Sequence, residues 1–342
     1  MRLSDFDFPF DPSLVASEPI LPRDWARLLV LNPAIGTMAH RKVADLPDLL
    51  APGDLLVVND TRVRAARVLG RKRGTGAPIE VLFVREVADR AWDVLMKGKW
   101  KAGEVIDVGP DARLTVTLRE AGRTLVTIDS PSTVQRFFEE FGRMPLPPYI
   151  KRSPTEEDRE WYQTVFAAEE GAIAAPTAGL HFTPGLVSRL NEKGIGIAKV
   201  TLHVGIGTFK PVTVEQIDQH RMEAEWVEVG EETVRVIEQT KDAKRKVVAV
   251  GTTAVRALEA AALQGRSLKP YRGETSLFII PGFRFQVADA LMTNFHLPKT
   301  TLLMLVSAFG GTELLRRAYV EAVAARYRFY SYGDAMFISS KQ

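Results

Sequence analysis

The sequence contains no cysteine, and this absence excludes several kinds of site at once. Thiol nucleophiles, disulfides, cysteine-ligated zinc and iron–sulfur clusters all require cysteine side chains. Histidine is scarce as well, and no pair has the H-E-x-x-H spacing of a zinc-binding helix. The histidines are His40, His181, His203, His220 and His296. We therefore expect no metal site and no cluster-dependent radical chemistry.

Long hydrophobic runs are also missing. The longest uninterrupted apolar run, from Leu302 to Val306, is far shorter than the roughly 20 residues that a membrane-spanning helix needs. The first residues, Met1 to Asp11, are acidic and aromatic and lack the basic flank and apolar stretch of a signal peptide. We therefore expect a cytoplasmic protein that has no membrane partner.

The composition is that of an ordinary globular protein. Of 342 residues, 46% are apolar and 25% are charged, which excludes a disordered chain and a collagen-like or coiled-coil rod. The length is too great for one small core, so it predicts two domains or one large domain that carries an insertion.

Short strands are the only elements predicted between Arg62 and Asp129, where turn residues such as Gly109-Pro110-Asp111 separate them. The predicted strands cover residues 63–69, 79–87, 92–97, 104–108, 113–118 and 124–129. Six strands with such short connections predict a small antiparallel β-barrel. A predicted helix over 132–141 follows, and the three prolines of 144–150 then predict the connection out of the barrel.

Helices and strands alternate from Glu156 onward. Thr183 followed by Pro184 predicts the start of a helix, and Thr213 with Gln216 resembles a capping box that predicts another. Strands are predicted over 195–204, 222–229 and 246–250, and helices over 232–243 and 254–263. This alternation predicts an α/β fold with a mostly parallel sheet that is covered by helices.

The segment before the barrel is expected to join the same sheet, because residues 28–31 and 55–58 are strand-like. The predicted α/β domain is therefore discontinuous and comprises residues 1–61 and 145–342. The predicted barrel domain, residues 62–144, is inserted into it.

Basic residues concentrate on the predicted barrel. Several arginines, among them Arg62 and Arg64, lie at its start, and Lys97, Lys99 and Lys101 alternate further on. An extended strand would place all three lysines on one face. Such a surface suits a protein that follows the phosphates of a nucleic acid, although a charge run is equally typical of a solvated face.

Candidate ligand-binding residues lie where predicted strands end, because an open parallel sheet binds ligands beyond the carboxyl ends of its strands. The strand over 246–250 leads through Gly251, Thr252 and Thr253 into a helix, whose first N–H groups suit an anion or carboxylate. A plain tight turn with a threonine cap is the alternative interpretation.

A second strand, over 195–204, ends in a segment with histidine and glycine. There Gly205 and Gly207 permit close contact with a bulky planar ligand, next to His203 and Thr208. The segment is not the G-x-G-x-x-G fingerprint, so the pattern disfavours a nicotinamide or flavin enzyme.

Two further histidines occupy similar positions. His181 follows a segment of small residues just before a helix, and His296 precedes a helix predicted from about Lys299. A neutral imidazole accepts or donates protons near pH 7, whereas a lone histidine is more often structural. Carboxylates that could bind a ribose diol or a purine edge, or could form salt bridges, are Glu223, Glu225, Asp289 and Asp334.

Eight segments, in order over nearly the whole chain, carry a family resemblance. They are Asn59-Asp60-Thr61-Arg62-Val63, Pro145-Leu146-Pro147-Pro148-Tyr149-Ile150, Tyr162-Gln163-Thr164-Val165-Phe166 and residues 174–182, 200–209, 250–259, 293–299 and 327–336. Together they are similar to the S-adenosylmethionine:tRNA ribosyltransferase-isomerases of queuosine synthesis. The resemblance implies an α/β domain with an inserted six-stranded barrel, in agreement with the pattern above.

The resemblance also implies a reaction. The ribosyl part of S-adenosylmethionine moves onto the 7-aminomethyl-7-deazaguanine base at the tRNA wobble position, which gives epoxyqueuosine and releases adenine and methionine. S-adenosylmethionine is then a consumed substrate, tRNA is the macromolecular partner, and neither a metal nor a redox cofactor is implied. We expect the protein to act as a monomer.

The chemistry and the resemblance together select candidate site residues. The candidates for proton transfer are His181, His203, His296, Asp289 and Glu225. The candidates for binding S-adenosylmethionine are Thr177, Gly205, Gly207, Thr208, Gly251, Thr252, Thr253, Arg256, Asn294 and Asp334. The candidates for binding tRNA are Arg62, Arg64, Lys97, Lys99 and Lys101.

One departure from the family pattern stands out. The family usually has His-x-Met-His-x-Glu where this chain has His220-Arg221-Met222-Glu223-Ala224-Glu225. We expect a supporting role for position 223, because the other segments are intact. Two alternatives of other classes are a tRNA-binding protein without catalysis and a nucleosidase that only releases adenine from S-adenosylmethionine.

Overall fold

A nine-stranded sheet forms the centre of the fold. The structure is a computed structural model that describes residues 1–120, 123–205, 212–265 and 267–339. The strands of this sheet are β1 Arg27–Asn32, β2 Thr37–Lys42, β3 Leu55–Asn59, β13 Gly196–Leu202, β14 Glu225–Val229, β15 Val247–Val250, β16 Tyr271–Thr275, β17 Ala290–Asn294 and β18 Ala335–Ile338. They are ordered β16-β14-β13-β3-β15-β17-β18-β1-β2.

The middle of the sheet is parallel. Strands β13, β3, β15 and β17 run in one direction, and antiparallel pairs lie toward both edges. β3 is buried along its whole length, with Leu55 and Val57 in the core on one face and Leu56 and Val58 in the core on the other. A strand that is apolar at every position is typical of a parallel sheet covered on both faces. The predicted α/β fold is confirmed.

Helices supply the cover on both faces. The helices are α1 Leu46–Leu49, α2 Val134–Phe141, α3 Asp158–Trp161, α4 Pro184–Glu192, α5 Glu231–Asp242, α6 Thr252–Ala262, α7 Thr301–Gly310 and α8 Thr312–Ala324. Apolar residues of α5 to α8 belong to the core on one face, and those of α4 belong to the core on the other. α4 begins as predicted, because the Thr183 hydroxyl accepts a hydrogen bond from the Leu186 N–H at 3.1 Å.

A closed six-stranded barrel lies between β3 and β13 in the chain. Its strands are β5 Arg67–Lys72, β6 Pro78–Ala88, β7 Ala91–Lys97, β8 Val105–Asp107, β9 Arg113–Glu120 and β10 Arg123–Asp129. They pair antiparallel in the order β5-β6-β7-β10-β9-β8, and β5 also pairs with β8, which closes the barrel. Phe83, Trp92 and Phe137 of α2 pack together in its core. The predicted six-stranded antiparallel barrel is confirmed, while the proposed domain boundaries stay a prediction.

Short strands connect the barrel to the main sheet. β4 Thr61–Val63 pairs in parallel with β12 Glu169–Ala172, and the two-residue strand β11 Gly142–Arg143 pairs with β5. The predicted strand over 63–69 is therefore wrong, because the chain leaves β4 at Val63 and enters β5 only at Arg67. Between them the Ala66 N–H donates to the Arg64 carbonyl, a tight turn that ends the extended run.

Two other sequence predictions also differ from the structure. The capping box at Thr213 and Gln216 starts no α-helix, and only a 3-10 turn over Ile217–Gln219 follows it. β7 ends at Lys97, because Gly98 has a φ of +126° and a Cβ there would lie 2.7 Å from the Ile79 side chain. The alternating lysines therefore do not share one strand face.

A helix that crosses a membrane must be both long and apolar. Within residues 1–120, 123–205, 212–265 and 267–339, no helix is both long and apolar enough to span a bilayer.

Candidate active site

A cavity lies beyond the carboxyl ends of the central parallel strands. It is partly open to solvent and is bordered by polar and aromatic side chains from several strand ends and loops. β15 ends at Val250 and β17 at Asn294, and residues directly after or at those ends line the cavity. The lining residues are Tyr149, Tyr162, Ala174, Ala175, Pro176, Thr177, Ala178, Val204, Gly251, Thr252, Thr253, Thr293, Asn294, His296, Leu302, Tyr330 and Ser331.

The turn after β15, which the sequence predicts as a ligand-binding turn, lies in the wall of the cavity. Gly251 has a φ of +95° and is the N-cap of α6, so no side chain caps the first N–H groups of this helix. The positive φ favours glycine at this position, because other side chains rarely adopt it. The alternative of a threonine cap is wrong, because Thr252 and Thr253 lie inside the helix and line the cavity.

Asn294 is the centre of a hydrogen-bonded network beneath the cavity. Its amide nitrogen donates to the Tyr330 carbonyl at 3.1 Å, and its amide oxygen accepts from the Thr177 hydroxyl at 3.0 Å. The backbone carbonyl requires the amide nitrogen on its side, so the orientation of the amide is determined. All three residues line the cavity, and the network therefore holds three chain segments in register around it.

His181 belongs to this network without lining the cavity. The Asn294 amide nitrogen also lies 3.1 Å from His181 Nε2, so Nε2 accepts and the neutral ring carries its proton on Nδ1. Burial lowers the pKa of His181 to about 4. The imidazole is therefore neutral at pH 7 and in a position to orient Asn294.

His296 lines the cavity directly. It is buried, its Nε2 lies 2.9 Å from the Thr293 hydroxyl, and its backbone N–H donates to the Tyr319 hydroxyl. Burial lowers the pKa of His296 to about 3, so the ring is neutral at physiological pH. Of the five histidines, this is the one that the structure places in the cavity wall.

His203 lies at the junction between sheet and barrel. Its Nδ1 is 2.8 Å from the Thr61 hydroxyl, and β12 passes directly over the ring. A Cβ at Gly171 would lie 2.6 Å from His203 Nε2, so only glycine allows this approach. Burial lowers the pKa of His203. The next residue, Val204, lines the cavity, whereas His203 does not.

Glu225 and Arg256 form a buried ion pair close to the strand end. The Glu225 carboxylate binds the Arg256 guanidinium and accepts the Gly205 N–H at 2.9 Å. Arg256 also donates to the Leu277 carbonyl at 3.1 Å. The predicted site residues Gly205, Glu225 and Arg256 therefore lie together but outside the cavity lining. The predicted residues Gly207 and Thr208 lie outside the described part of the chain.

Asp289 and Asp334 are placed differently from the sequence prediction. Asp289 accepts the Val247 N–H at the amino end of β15, and β17 separates it from the cavity by roughly 16 Å at ~3.3 Å per residue. Asp334 is fully buried and accepts bonds from Arg27 and from the Arg328 N–H, so its oxygens are already used within the fold. Neither carboxylate lines the cavity.

The predicted tRNA-binding residues lie on and near the barrel. Arg62 donates to the Ala167 carbonyl at 2.7 Å, and Arg64 lies over the Trp92 ring and 3.6 Å from Glu170. Lys97, Lys99 and Lys101 are exposed. Lys97 borders a groove of about 1240 Å³ on the barrel, part of it open to solvent.

The cavity also contains residues that the sequence analysis did not select. Tyr149 and Tyr162 lie far from Tyr330 and Ser331 in the chain, and only folding brings the two pairs together. In the sequence, the one indication that these residues matter is that all four lie in segments that carry the family resemblance. Within the described residues, no group of three or more histidine, aspartate or glutamate side chains is arranged to hold a metal ion.

A parallel sheet with a cavity beyond its strand ends, and a barrel inserted beside it, define an α/β enzyme. The family described as "Queuosine biosynthesis protein" matches residues 3–338. Similar proteins named S-adenosylmethionine:tRNA ribosyltransferase-isomerase include one from Azoarcus sp., 49% identical over 99% of this chain and 98% of its own. Another, from Sulfurihydrogenibium sp., is 46% identical over 99% of this chain and 100% of its own.

A solved structure gives the same assignment. The crystal structure of S-adenosylmethionine tRNA ribosyltransferase from Thermotoga maritima is 37% identical, has a TM-score of 0.58, and matches 98% of this chain and 100% of its own. The chain therefore belongs to the queuosine biosynthesis family, whose curated members carry the name S-adenosylmethionine:tRNA ribosyltransferase-isomerase. The family and the enzyme class predicted from the sequence are confirmed.

Proposed function

We propose that the cavity binds S-adenosylmethionine and transfers its ribosyl part, with isomerisation, onto tRNA. The acceptor is the 7-aminomethyl-7-deazaguanine base at the wobble position, the product is epoxyqueuosine, and adenine and methionine are released. The observation that carries this proposal is the cavity at the carboxyl ends of β15 and β17, lined by buried hydroxyl, amide and neutral imidazole groups. The names of full-length relatives support it. We propose that the enzyme acts in the cytoplasm.

The proposed chemistry needs proton transfer but no redox step. The sulfonium acidifies the neighbouring ribose C5′–H, so a base that removes this proton gives an ylide. The ylide electrons break the C4′–O4′ bond and form a C4′=C5′ vinyl sulfonium, while O4′ becomes the C1′ aldehyde as adenine leaves and its nitrogen takes up a proton. The aminomethyl nitrogen adds to C4′ and loses a proton, which regenerates the ylide at C5′. That carbon closes on the C1′ carbonyl, and the resulting alkoxide displaces methionine as a thioether to form the epoxide. We propose no resident metal or redox cofactor for this series of chemical steps.

His296 is the proposed proton-transfer residue, because it lines the cavity and its imidazole is neutral at pH 7. His181 is a positioning residue that acts through Asn294. His203 remains a candidate for a second proton transfer at the junction with the barrel. Thr177, Thr252 and Thr253 are the proposed hydrogen-bonding groups for the substrate, because their side chains lie in the cavity lining.

The proposal is tested with S-adenosylmethionine that carries label in its ribose, incubated with tRNA that contains the deazaguanine base. Label in the RNA supports the transferase. Release of adenine without tRNA would instead indicate a nucleosidase, and tRNA binding without turnover would indicate a passive binding protein. Either of the last two results contradicts the proposal.

The exposed lysines of the barrel are expected to bind tRNA phosphates. Changing Lys97, Lys99 and Lys101 to alanine should weaken tRNA binding and flatten its salt dependence by up to ~1 log–log unit per lost contact. Affinity for S-adenosylmethionine should not change, because none of the three lines the cavity. Binding is measured by titration at several salt concentrations.

A matched control removes the same charge elsewhere. Lys244, Arg245 and Lys246 are exposed and precede β15, at the end of the sheet away from the cavity. Their alanine variant should keep the salt slope of the unmodified protein. Equal slopes for both triple variants would show that the barrel lysines make no special contact with tRNA.

Position 223 is expected to tolerate change. Glu223 is exposed and lies two residues before β14, outside the cavity lining. Glu223→His restores the residue usual in the family and should leave turnover within about tenfold, or ~1.4 kcal/mol of barrier. Turnover is measured at saturating tRNA across pH, and a much larger change would make Glu223 a participant in the chemistry.

A further inference from the structure

Three tyrosines, here called the tyrosine wall, line the cavity: Tyr149, Tyr162 and Tyr330. The rings of Tyr149 and Tyr330 are in contact, with centroids 3.8 Å apart and planes tilted by 53°. The Tyr149 hydroxyl is 2.6 Å from the Ser331 hydroxyl, so the connection out of the barrel is bound to the loop before β18. Aromatic ring faces are therefore held together at one part of the cavity.

Two hydroxyl groups in this cavity have unused hydrogen-bonding capacity. Tyr162 is fully buried, and its hydroxyl makes no hydrogen bond of good geometry, although Ser331 and the Ala175 backbone are polar neighbours. The Thr253 hydroxyl is also buried without a partner. A buried hydroxyl that makes no hydrogen bond is unfavourable. A polar edge of a ligand would provide a partner for either group.

The cavity lining also indicates which part of a ligand belongs here. Among the described residues that line it there is no aspartate, glutamate, lysine or arginine, and the one histidine is neutral because burial lowers the pKa of His296. A charged group such as an ammonium or carboxylate would lose its hydration there without a compensating charge. A neutral heteroaromatic ring meets no such cost, and its faces can stack on tyrosine.

We propose that the tyrosine wall binds a planar purine-type ring, which stacks on Tyr149 and Tyr330 and accepts or donates hydrogen bonds at the Tyr162 and Thr253 hydroxyls. This inference rests on the proposed function, in which two such rings take part. One is the adenine of S-adenosylmethionine, and the other is the 7-aminomethyl-7-deazaguanine of tRNA. Both present a neutral flat ring with a polar edge, the aminomethyl ammonium of the second lies outside the uncharged lining, and the experiment distinguishes the two rings.

The test uses the full-length protein and two free probes, adenine and 7-aminomethyl-7-deazaguanine, with binding followed by NMR titration. Tyr162→Phe removes only the hydroxyl that has no hydrogen bond, so the melting temperature should not fall. Tyr149→Leu removes a ring face, whereas Tyr149→Phe keeps it. Tyr271→Phe is the matched control, because the Tyr271 hydroxyl donates to the Glu274 carbonyl and lies outside the cavity lining.

We expect Tyr162→Phe and Tyr149→Leu to weaken binding of one probe by about tenfold or more, as loss of a stacking or edge contact does. Tyr149→Phe should weaken binding less than Tyr149→Leu does, and Tyr271→Phe should stay within about threefold of the unmodified protein. A loss for adenine assigns the site to S-adenosylmethionine, and a loss for the deazaguanine assigns it to tRNA. The proposal is overturned if the unmodified protein binds neither probe, or if all variants bind both probes equally well. Binding of the free probes requires no turnover. A failure of the proposed ribosyl transfer would therefore be detected in its own assay and would not affect this test.

Discussion

His296→Ala is expected to lower kcat by about 10²–10⁴-fold, the contribution typical of a general acid or base. His296 is the histidine that lines the cavity, and burial lowers its pKa to about 3, so its neutral ring is available for proton transfer at pH 7. The measurement is steady-state transfer of labelled ribose at saturating S-adenosylmethionine and tRNA, expressed per folded molecule, together with a melting curve.

Two further variants make this result specific. His296→Gln keeps most of the side-chain volume and a hydrogen-bonding group, yet it should lose nearly as much activity because an amide does not transfer protons near pH 7. His40→Ala alters an exposed histidine on β2 and should keep full activity. A His296 variant that is less stable but turns over normally would show that this histidine has only a structural role.

Acid is expected to destabilise the fold steeply between about pH 6.5 and 4. Burial lowers the pKa of His181 to about 4 and that of His296 to about 3, from ~6.5 in the unfolded chain. Below pH 6.5 the unfolded chain therefore binds protons that the folded protein does not. The free energy of unfolding has its full value above that pH. As the pH falls below it, each histidine lowers the free energy of unfolding by about 1.4 kcal/mol per pH unit.

The measurement is urea unfolding at several pH values. His181→Gln and His296→Gln cannot take up this proton, so each should flatten the pH dependence of the free energy of unfolding by the share of one histidine. His40→Gln serves as the control for a substitution at an exposed histidine. If neither buried-site variant changed the slope, both rings would be accessible to protons in the folded protein.

Much of the fold was predictable because local patterns determine it. The apolar strand β3, the capped start of α4 and the short strands of the barrel all follow from spacing and turn residues. The alternating lysines were interpreted wrongly as one strand face, because the close packing of Gly98 on Ile79 is a tertiary contact. Helix and strand periodicity contains no information about such contacts.

The cavity was predictable in part. Gly251 was selected because parallel strands present their carboxyl ends to one edge of a sheet, whereas Asn294 was selected only with the family resemblance. The same rule would have placed Asp289, which precedes β17, at the opposite edge. The tyrosine wall was missed, because Tyr330 lies more than a hundred residues from Tyr149 and Tyr162 and no local pattern links it with them.

The most direct test of the central claim is the stoichiometry of one complete reaction. tRNA that carries the deazaguanine base is incubated with ribose-labelled S-adenosylmethionine, and the digested RNA and the released small molecules are quantified by mass spectrometry. The account predicts one labelled epoxyqueuosine at the wobble position for each adenine and each methionine released, and at least about a hundredfold less product with His296→Ala at the same enzyme concentration and time. Adenine and methionine released without label in the RNA would contradict it.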